Sequence, residues 1–242
     1  MNIVVPMAGE GSRFKKAGYK KPKPFIDVKG KSMIERVLDN LYYPDARYIL
    51  IARPEHLEQE AELVKRIEND YNALFISVNQ LTEGTACTVL FARKFINNDE
   101  PLLIVNSDQI VDIEVKRYID DCFERKLDGS ILCFEDPELN PKWSFARINE
   151  AGLVEEVQEK KAISKYATVG IYLFSQGKEF FNAAIDMIAR NDRVNNEFYT
   201  CPVYNYNISE GARIGIYTID FKDMHGTGTP ADLDKYLELI KD

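Results

Sequence analysis

Residues 9 to 14 read G-E-G-S-R-F, two flexible backbone positions shortly before a permanently charged side chain. Glycines let main-chain N–H groups close on an anion, and the Arg13 guanidinium is a planar fork of donors suited to phosphate oxygens. Lys21-Pro22-Lys23-Pro24-Phe25 follows. Proline on both sides of Lys23 removes backbone donors and predicts an extended, stiff segment from which the ammonium is presented. Much later, Ile104-Val-Asn-Ser-Asp108 is an apolar run ending in a carboxylate, the place where open parallel sheets put ligands. Such a set suits the holding and alignment of phosphate groups by fixed positive charge.

Those residues need a frame. Apolar, β-branched runs (NIVVPM, YILIA, ALFISVN, PLLIVNS) alternate with helical patterns through the first half of the chain, which predicts a parallel sheet covered on both faces. Ser32-Met-Ile-Glu35 has the form of a capping box, so a helix is expected to start there. Residues 8 to 31 are then a long loop carrying Arg13, Lys15, Lys16, Lys20, Lys21 and Lys23, and a loop of that length inside a compact domain is usually functional or disordered. Beyond Asp108 the runs GSILCF, SFARINEAG, LVEEVQEK and YATVGIYLF read as strands joined by turns. A helix over about Lys178 to Arg190, a short helix near Asn196 to Ile208, a strand RIGIYTI and a last helix from Pro230 complete the pattern.

Composition narrows the function classes. The 242 residues suit one α/β domain, 1–242, with a first half (1–112) and a second half (113–242). A formal charge of −8 argues against a broad nucleic-acid footprint, so any anion site must be local. Four cysteines without CxxC spacing fit reduced thiols and a cytoplasmic setting, and no apolar run approaches the roughly 20 residues of a membrane span.

The glycines share two positions with the dinucleotide fingerprint G-x-G-x-x-G, but Phe14 stands where the third glycine should pack, and a lysine-rich loop replaces the expected helix. The dinucleotide reading fails on that context. Taken together, VPMAGEGSRF and KPKPFIDVKGKSMIERVLDNL resemble the opening signature of the sugar-phosphate nucleotidyltransferases: a strand, G-x-G-[ST]-R, then P-K-x-L and a helix. Later segments continue the resemblance over nearly the whole chain. Gln80-Leu-Thr-Glu-Gly84-Thr85-Ala86 is similar to the family's Q-x-x-x-G-T-A, with Thr85 also a candidate helix N-cap. Glu159-Lys160 follows a G-x-V-x-x-x-x-E-K pattern, Thr168-Val-Gly170-Ile-Tyr172 matches N-A-G-I-Y, and Asn195-Asn-Glu197-Phe-Tyr199 matches N-E-Y/F-Y.

The resemblance implies a doubly wound, Rossmann-like, mostly parallel α/β sheet of GT-A-like form with a small β-rich acceptor lobe. It implies nucleotide-binding positions at Met7, Ala8, Gly9, Gly11, Ser12, Arg13, Lys23, Gln80, Gly84, Thr85 and Asp108, with Arg13, Lys23 and Asp108 catalytic. Glu159, Lys160, Gly170 and Glu197 fall at acceptor-binding positions, and Asp108 at that of a Mg²⁺ ligand. The pattern breaks at Met224-His225-Gly226-Thr227-Gly228, where Gly226 takes the place of a second metal-binding Asp; Asp112, Asp223 or a water are the substitutes, and His225 could reach a phosphate. The implied reaction is transfer of a nucleotidyl group, CMP favoured and UMP next, from a nucleoside triphosphate (CTP, then UTP) to a small phosphorylated acceptor, with release of pyrophosphate. The implied setting is precursor synthesis for capsule or other surface polysaccharide, with no nucleic-acid or membrane partner and a homodimer left open. A nucleotide-sugar glycosyltransferase and a non-catalytic nucleotide sensor stay as alternatives, the latter because of Gly226.

Overall fold

The computed structural model describes residues 1–240. In chain order the elements are β1 (Asn2–Pro6), α1 (Ser12–Lys16), a 3-10 turn (Lys23–Phe25), β2 (Asp27–Val28), β3 (Lys31–Ser32), α2 (Met33–Asn40) and β4 (Arg47–Ala52). Next come α3 (Pro54–Gln59), α4 (Ala61–Asp70), β5 (Ala73–Ser77), α5 (Thr85–Val89), α6 (Arg93–Ile96), β6 (Leu102–Val105), β7 (Gln109–Val111) and α7 (Val115–Glu124). The second half holds β8 (Gly129–Glu135), β9 (Phe145–Ile148), β10 (Val154–Gln158), β11 (Tyr166–Phe174), α8 (Gly177–Ala189), α9 (Val203–Ser209), β12 (Ile214–Ile219), a 3-10 turn (Phe221–Asp223), β13 (Met224–Gly226) and α10 (Pro230–Leu239).

Nine strands form the central sheet. Its first half is parallel, with β1 between β4 and β6, and β5 beyond β4. The register Ile3↔Tyr48 and Val4↔Ile49 sends alternate residues to opposite faces: Ile3, Val5, Tyr48 and Leu50 enter one buried cluster, Val4, Ile49 and Ile51 the other. Both faces are therefore covered, which is why these strands read as continuous apolar runs instead of alternating ones. β11 reverses the direction by pairing antiparallel with β6 and β8, β12 runs parallel to β8, and the β9–β10 hairpin leaves the sheet through the end of β11. The fold is thus an α/β sheet of Rossmann-like type, with two small antiparallel ribbons, β2–β3 and β7–β13, beside it.

The capping box forms as its sequence predicts. Ser32 N–H and Oγ–H both donate to Glu35 Oε2 at 2.7 Å, and Glu35 N donates back to Ser32 Oγ. The buried Glu35 carboxylate is further gripped by Arg66 at 2.8 and 2.9 Å. Burial works against its charge, but the Ser32 and Arg66 contacts outweigh it and hold the acid below the usual carboxylate range.

Three local expectations are corrected. The stretch 8–31 is not one loop, because α1 begins at Ser12 and a 3-10 turn at Lys23. Five residues are too few for a helix to stand alone; α1 persists because Phe14, fully buried, packs in a satellite core with Ile26, Val28, Met33 and Leu233. The proline segment is extended only at Pro22 and then coils, with Pro24 inside the turn where its fixed φ is tolerated. The helix expected from Asn196 starts at Val203 instead, since residues 194–197 close a tight turn through paired Val194 and Glu197 backbone bonds.

Candidate active site

Two cavities open along the sheet's C-terminal side, where β1, β6 and the loops after them end. The first, of about 530 Å³, is walled by the Met7–Phe14 turn, Lys23 and Pro24, Leu81 to Thr88, and Asn106 to Asp108. The second, of about 920 Å³, is walled by residues 142–144 ahead of β9, Glu159 just after β10, residues of β11, the Tyr199–Cys201 segment and the region from Phe221 to Leu239. Arg13, Thr85, Asn106, Asp108 and Gly228 line both. They form the seam.

Local packing explains how each seam residue is held. Met7 N donates to Ile51 O at 2.8 Å, prolonging the β1–β4 ladder by one step before the chain turns. Gly11 then adopts a left-handed φ of 62° and caps α1, and the place of its missing side chain lies 3.2 Å from Lys23 Cβ. With Phe14 fixed in the satellite core, Arg13 lies on the cavity wall. Among the described residues the guanidinium has no ion-pair partner. Lys23 makes direct contact with Asp108 through Nζ and Oδ2. The other basic residues of the stretch remain outside: Lys21 pairs with Glu60 at 3.2 Å, and Lys15, Lys16 and Lys20 are exposed.

Gly84, not Thr85, caps α5. It stands at φ 123°, and a Cβ there would run into the Phe198 backbone. Phe198 N bonds Glu83 O at 2.7 Å, Ala86 N bonds Phe198 O at 3.0 Å, and Arg193 lies over the Phe198 ring while pairing with Glu83. The Asn195–Tyr199 segment is thereby stitched to the loop that leads into α5. Thr85 Oγ1 accepts from Thr200 N at 3.1 Å, which makes this threonine a tie between the two halves.

The remaining expected residues are distributed as follows. Met7, Ala8, Gly9, Gly11, Ser12, Gly84 and Thr85 line the first cavity, whereas Gln80 is exposed and lies outside its wall. Glu159 and Gly170 line the second. Burial pushes the Glu159 carboxyl above its usual range, offset in part by the Ser144 hydroxyl that donates to it. The space a Cβ would need at Gly170 is filled by the Asn106 amide, and Asn106 N bonds Gly170 O at 3.0 Å, so the glycine brings β11 against the seam. Lys160 lies outside the wall with Nζ 2.6 Å from the Tyr199 hydroxyl; desolvation disfavours its charge, but Tyr199, Glu159 and Glu197 hold the ammonium above its ordinary range. Glu197 lines the first cavity, not the second. Residues that motif reading passed over include Asn106, a short amide two residues before Asp108, and Gly228, Thr200 and Trp143, for which spacing carries no signal.

Residues 3–207 match the sequence profile of the nucleotidyl transferase family. The chain belongs to that family. Among similar proteins are the mannose-1-phosphate guanylyltransferase catalytic subunit beta of Drosophila pseudoobscura pseudoobscura, 24% identical over 71% of this chain and 47% of that one, and the bifunctional protein GlmU of Methanococcus aeolicus, 24% identical over 72% and 40%. The matched part of the chain spans less than half the length of those curated relatives. In fold it is similar to a nucleoside-diphosphate-sugar pyrophosphorylase from Vibrio cholerae RC9, with a TM-score of 0.82, 24% identity and coverage of 98% and 99% of the two chains. It is also similar to the inositol-1-phosphate CTP transferase of T. maritima, with a TM-score of 0.75, 15% identity and coverage of 98% and 94%. No helix among the described residues is long and apolar enough to cross a membrane.

Enzymes of this family use divalent metal ions, and the donor set at the seam can be tested for one. Among the described residues Asp108 is the only carboxylate that lines both cavities. Asp112 is turned to His225 Nε2 at 2.7 Å, and neither it nor Asp223 lines either cavity. The loop after β13 brings Gly228 against the Asp108 carboxylate, where a Cβ would sit 2.8 Å from Oδ2, while Thr227 N and Oγ1 clamp the Asp108 carbonyl at 2.8 and 3.1 Å. One carboxylate fits a hard cation that takes its remaining ligands from water and substrate phosphates. It does not fit a cation held by protein alone, and no group of three acidic, His or Cys side chains among the described residues would supply that.

Proposed function

We propose that this nucleotidyl transferase moves a nucleoside monophosphate from a nucleoside triphosphate onto the phosphate of a small phosphorylated acceptor, releasing pyrophosphate. The observation that carries the reading is the seam: a backbone-lined cavity with Arg13 and Lys23 meets a side-chain-lined cavity at Asp108. An acceptor phosphate lying in the second cavity would approach a triphosphate lying in the first along that line.

The chemistry needs no protein nucleophile. A phosphomonoester is largely ionised near neutral pH; its oxygen forms a bond to the α-phosphorus as the bond from that phosphorus to the β-bridging oxygen breaks, and pyrophosphate departs with the electron pair. The chain's work is to align two anions and to offset charge that grows on the leaving group. Arg13 has the free fork for the triphosphate oxygens, and Lys23 moves its contact from Asp108 to the leaving phosphates. Mg²⁺, held by Asp108 and the substrate phosphates, would supply further charge neutralisation there. Glu159 lies where it can accept from acceptor hydroxyls.

CTP is the favoured donor and UTP the next, on the likeness of VPMAGEGSRF to bacterial pyrimidine-using enzymes of surface-polysaccharide synthesis. A pyrophosphate-release screen of the four common nucleoside triphosphates against sugar 1-phosphates and non-sugar phosphates tests the reading. Release with CTP and one acceptor class is expected; silence across the whole panel from folded protein would sink it.

A further inference from the structure

Among the described residues the second cavity's wall carries charged and amide donors that lack a protein partner, whereas its carboxylates do not. Each carboxylate on its wall already has a partner: Asp108 holds Lys23, Glu159 accepts from Ser144, and Asp232 accepts from Thr229 Oγ1 at 2.6 Å. The Thr168 and Tyr172 hydroxyls are bonded to each other at 3.2 Å. Lys142 and Lys235, in contrast, have no carboxylate within ion-pair distance among the described residues, although they come from separate elements, the β8–β9 connection and α10. Gln109, at the start of β7, is 6% exposed, and its Nε2 is buried with no hydrogen-bond partner. A buried donor left unpaired is destabilising, and a ligand oxygen would supply the missing partner.

We propose that the acceptor carries a second anionic group besides the phosphate that is nucleotidylated, and that Lys142, Lys235 and the Gln109 amide read it. This rests on the transfer reading for the identity of the cavity as the acceptor site. The two lysines supply screened attraction at the rim. Gln109 supplies selectivity, because a site built around an unpaired polar group penalises a ligand that leaves it unpaired.

Trp143, the one tryptophan of the chain, lies on this wall with Lys142 Nζ 4.3 Å over its ring, so its fluorescence reports occupancy without turnover. The full chain, with α,β-methylene CTP present, is titrated with a hexose 1-phosphate, the matching hexuronic acid 1-phosphate and the hexose 1,6-bisphosphate. About fivefold tighter binding of a doubly anionic ligand is expected, shrinking with added salt, and better binding of the uronate than of the bisphosphate assigns a carboxylate. The double variant Lys142→Gln with Lys235→Gln is expected to lose most of that preference. Gln109→Met is expected to weaken the doubly anionic ligand while holding or raising Tm, since it removes the unpaired donor. Equal binding of all three ligands by the wild type, or a preference unchanged in both variants, overturns the proposal. A protein that shows the preference but never releases pyrophosphate keeps this inference and loses the transfer reading; pyrophosphate release without the preference does the reverse.

Discussion

The two cavities are built from different materials. The first is lined largely by a few continuous stretches rich in glycine: the turn after β1, the 3-10 turn at Lys23, and the loop into α5. The second is made of residues 142–144, Glu159, β11, the Tyr199–Cys201 segment, β13 and α10, which are far apart in the chain. A nucleotide's phosphates are the same in every donor, so a fixed cradle of main-chain groups and one or two cations suffices. On the proposed transfer reading the second cavity takes the acceptor, which differs from one enzyme to the next, and its wall is drawn from scattered side chains that can be exchanged without disturbing the sheet. On that reading the phosphate cradle would rest on the backbone and the choice of acceptor on side chains.

That contrast can be broken most directly at the seam. Arg13→Ala or Asp108→Asn is expected to lower turnover about a hundredfold or more with folding intact, and steady-state pyrophosphate release by folded variants checks it; near-normal activity would remove that residue from the site. The next effect concerns the stitch between the halves. Gly84→Ala forces a side chain against the Phe198 backbone at an unfavourable φ, and should cost about 3 kcal/mol in urea unfolding, with binding lost in both cavities because residues 195–200 shift together. Loss confined to the nucleotide side would show that the stitch is not shared.

Smaller effects test the frame. Ser32→Ala removes the hydroxyl half of the capping box at the start of α2, leaving the bond from the residue-32 backbone N–H to Glu35 in place, and should lower stability by about 1 kcal/mol, with kcat almost unchanged since this helix end lies away from both cavity walls. The smallest effect is expected at Glu159. Its carboxyl is raised by burial, so the stability it contributes is present at acid pH, below the unfolded carboxylate value of about 4.3, and is lost as pH rises through the folded value. Glu159→Gln lacks that dependence, and its Tm relative to the wild type should climb by about 2 °C between pH 4 and 7. A flat difference across that range would mean that the carboxyl is better solvated than its surroundings imply.

Much of the frame was legible because it rests on local pattern. Continuous apolar runs marked the parallel strands, Ser32 and Glu35 marked the start of α2, and Thr229-Pro230 marked that of α10, where Thr229 accepts from Asp232 N. The loop 8–31 was misjudged because α1 is held by Phe14 packing on Leu233, a partner more than two hundred positions away. Thr85 looked like a cap since its hydroxyl is the usual capping group, yet that hydroxyl is spent on Thr200. The Asn195–Tyr199 segment looked helical at its start, but its backbone bonds go to Glu83 and Ala86.

The sequence by itself determined the sheet, the glycine turn, the cations Arg13 and Lys23, and the carboxylate at the end of β6, because strand pattern, turn chemistry and charge are properties of neighbouring residues. Only the tertiary structure decided that Lys23 rests on Asp108, that Asp112 serves His225, that Glu197 faces the first cavity, and that unpaired donors gather in the second. Those outcomes depend on which distant segments share a wall, and side-chain partners across such distances leave no periodicity in the chain to be read.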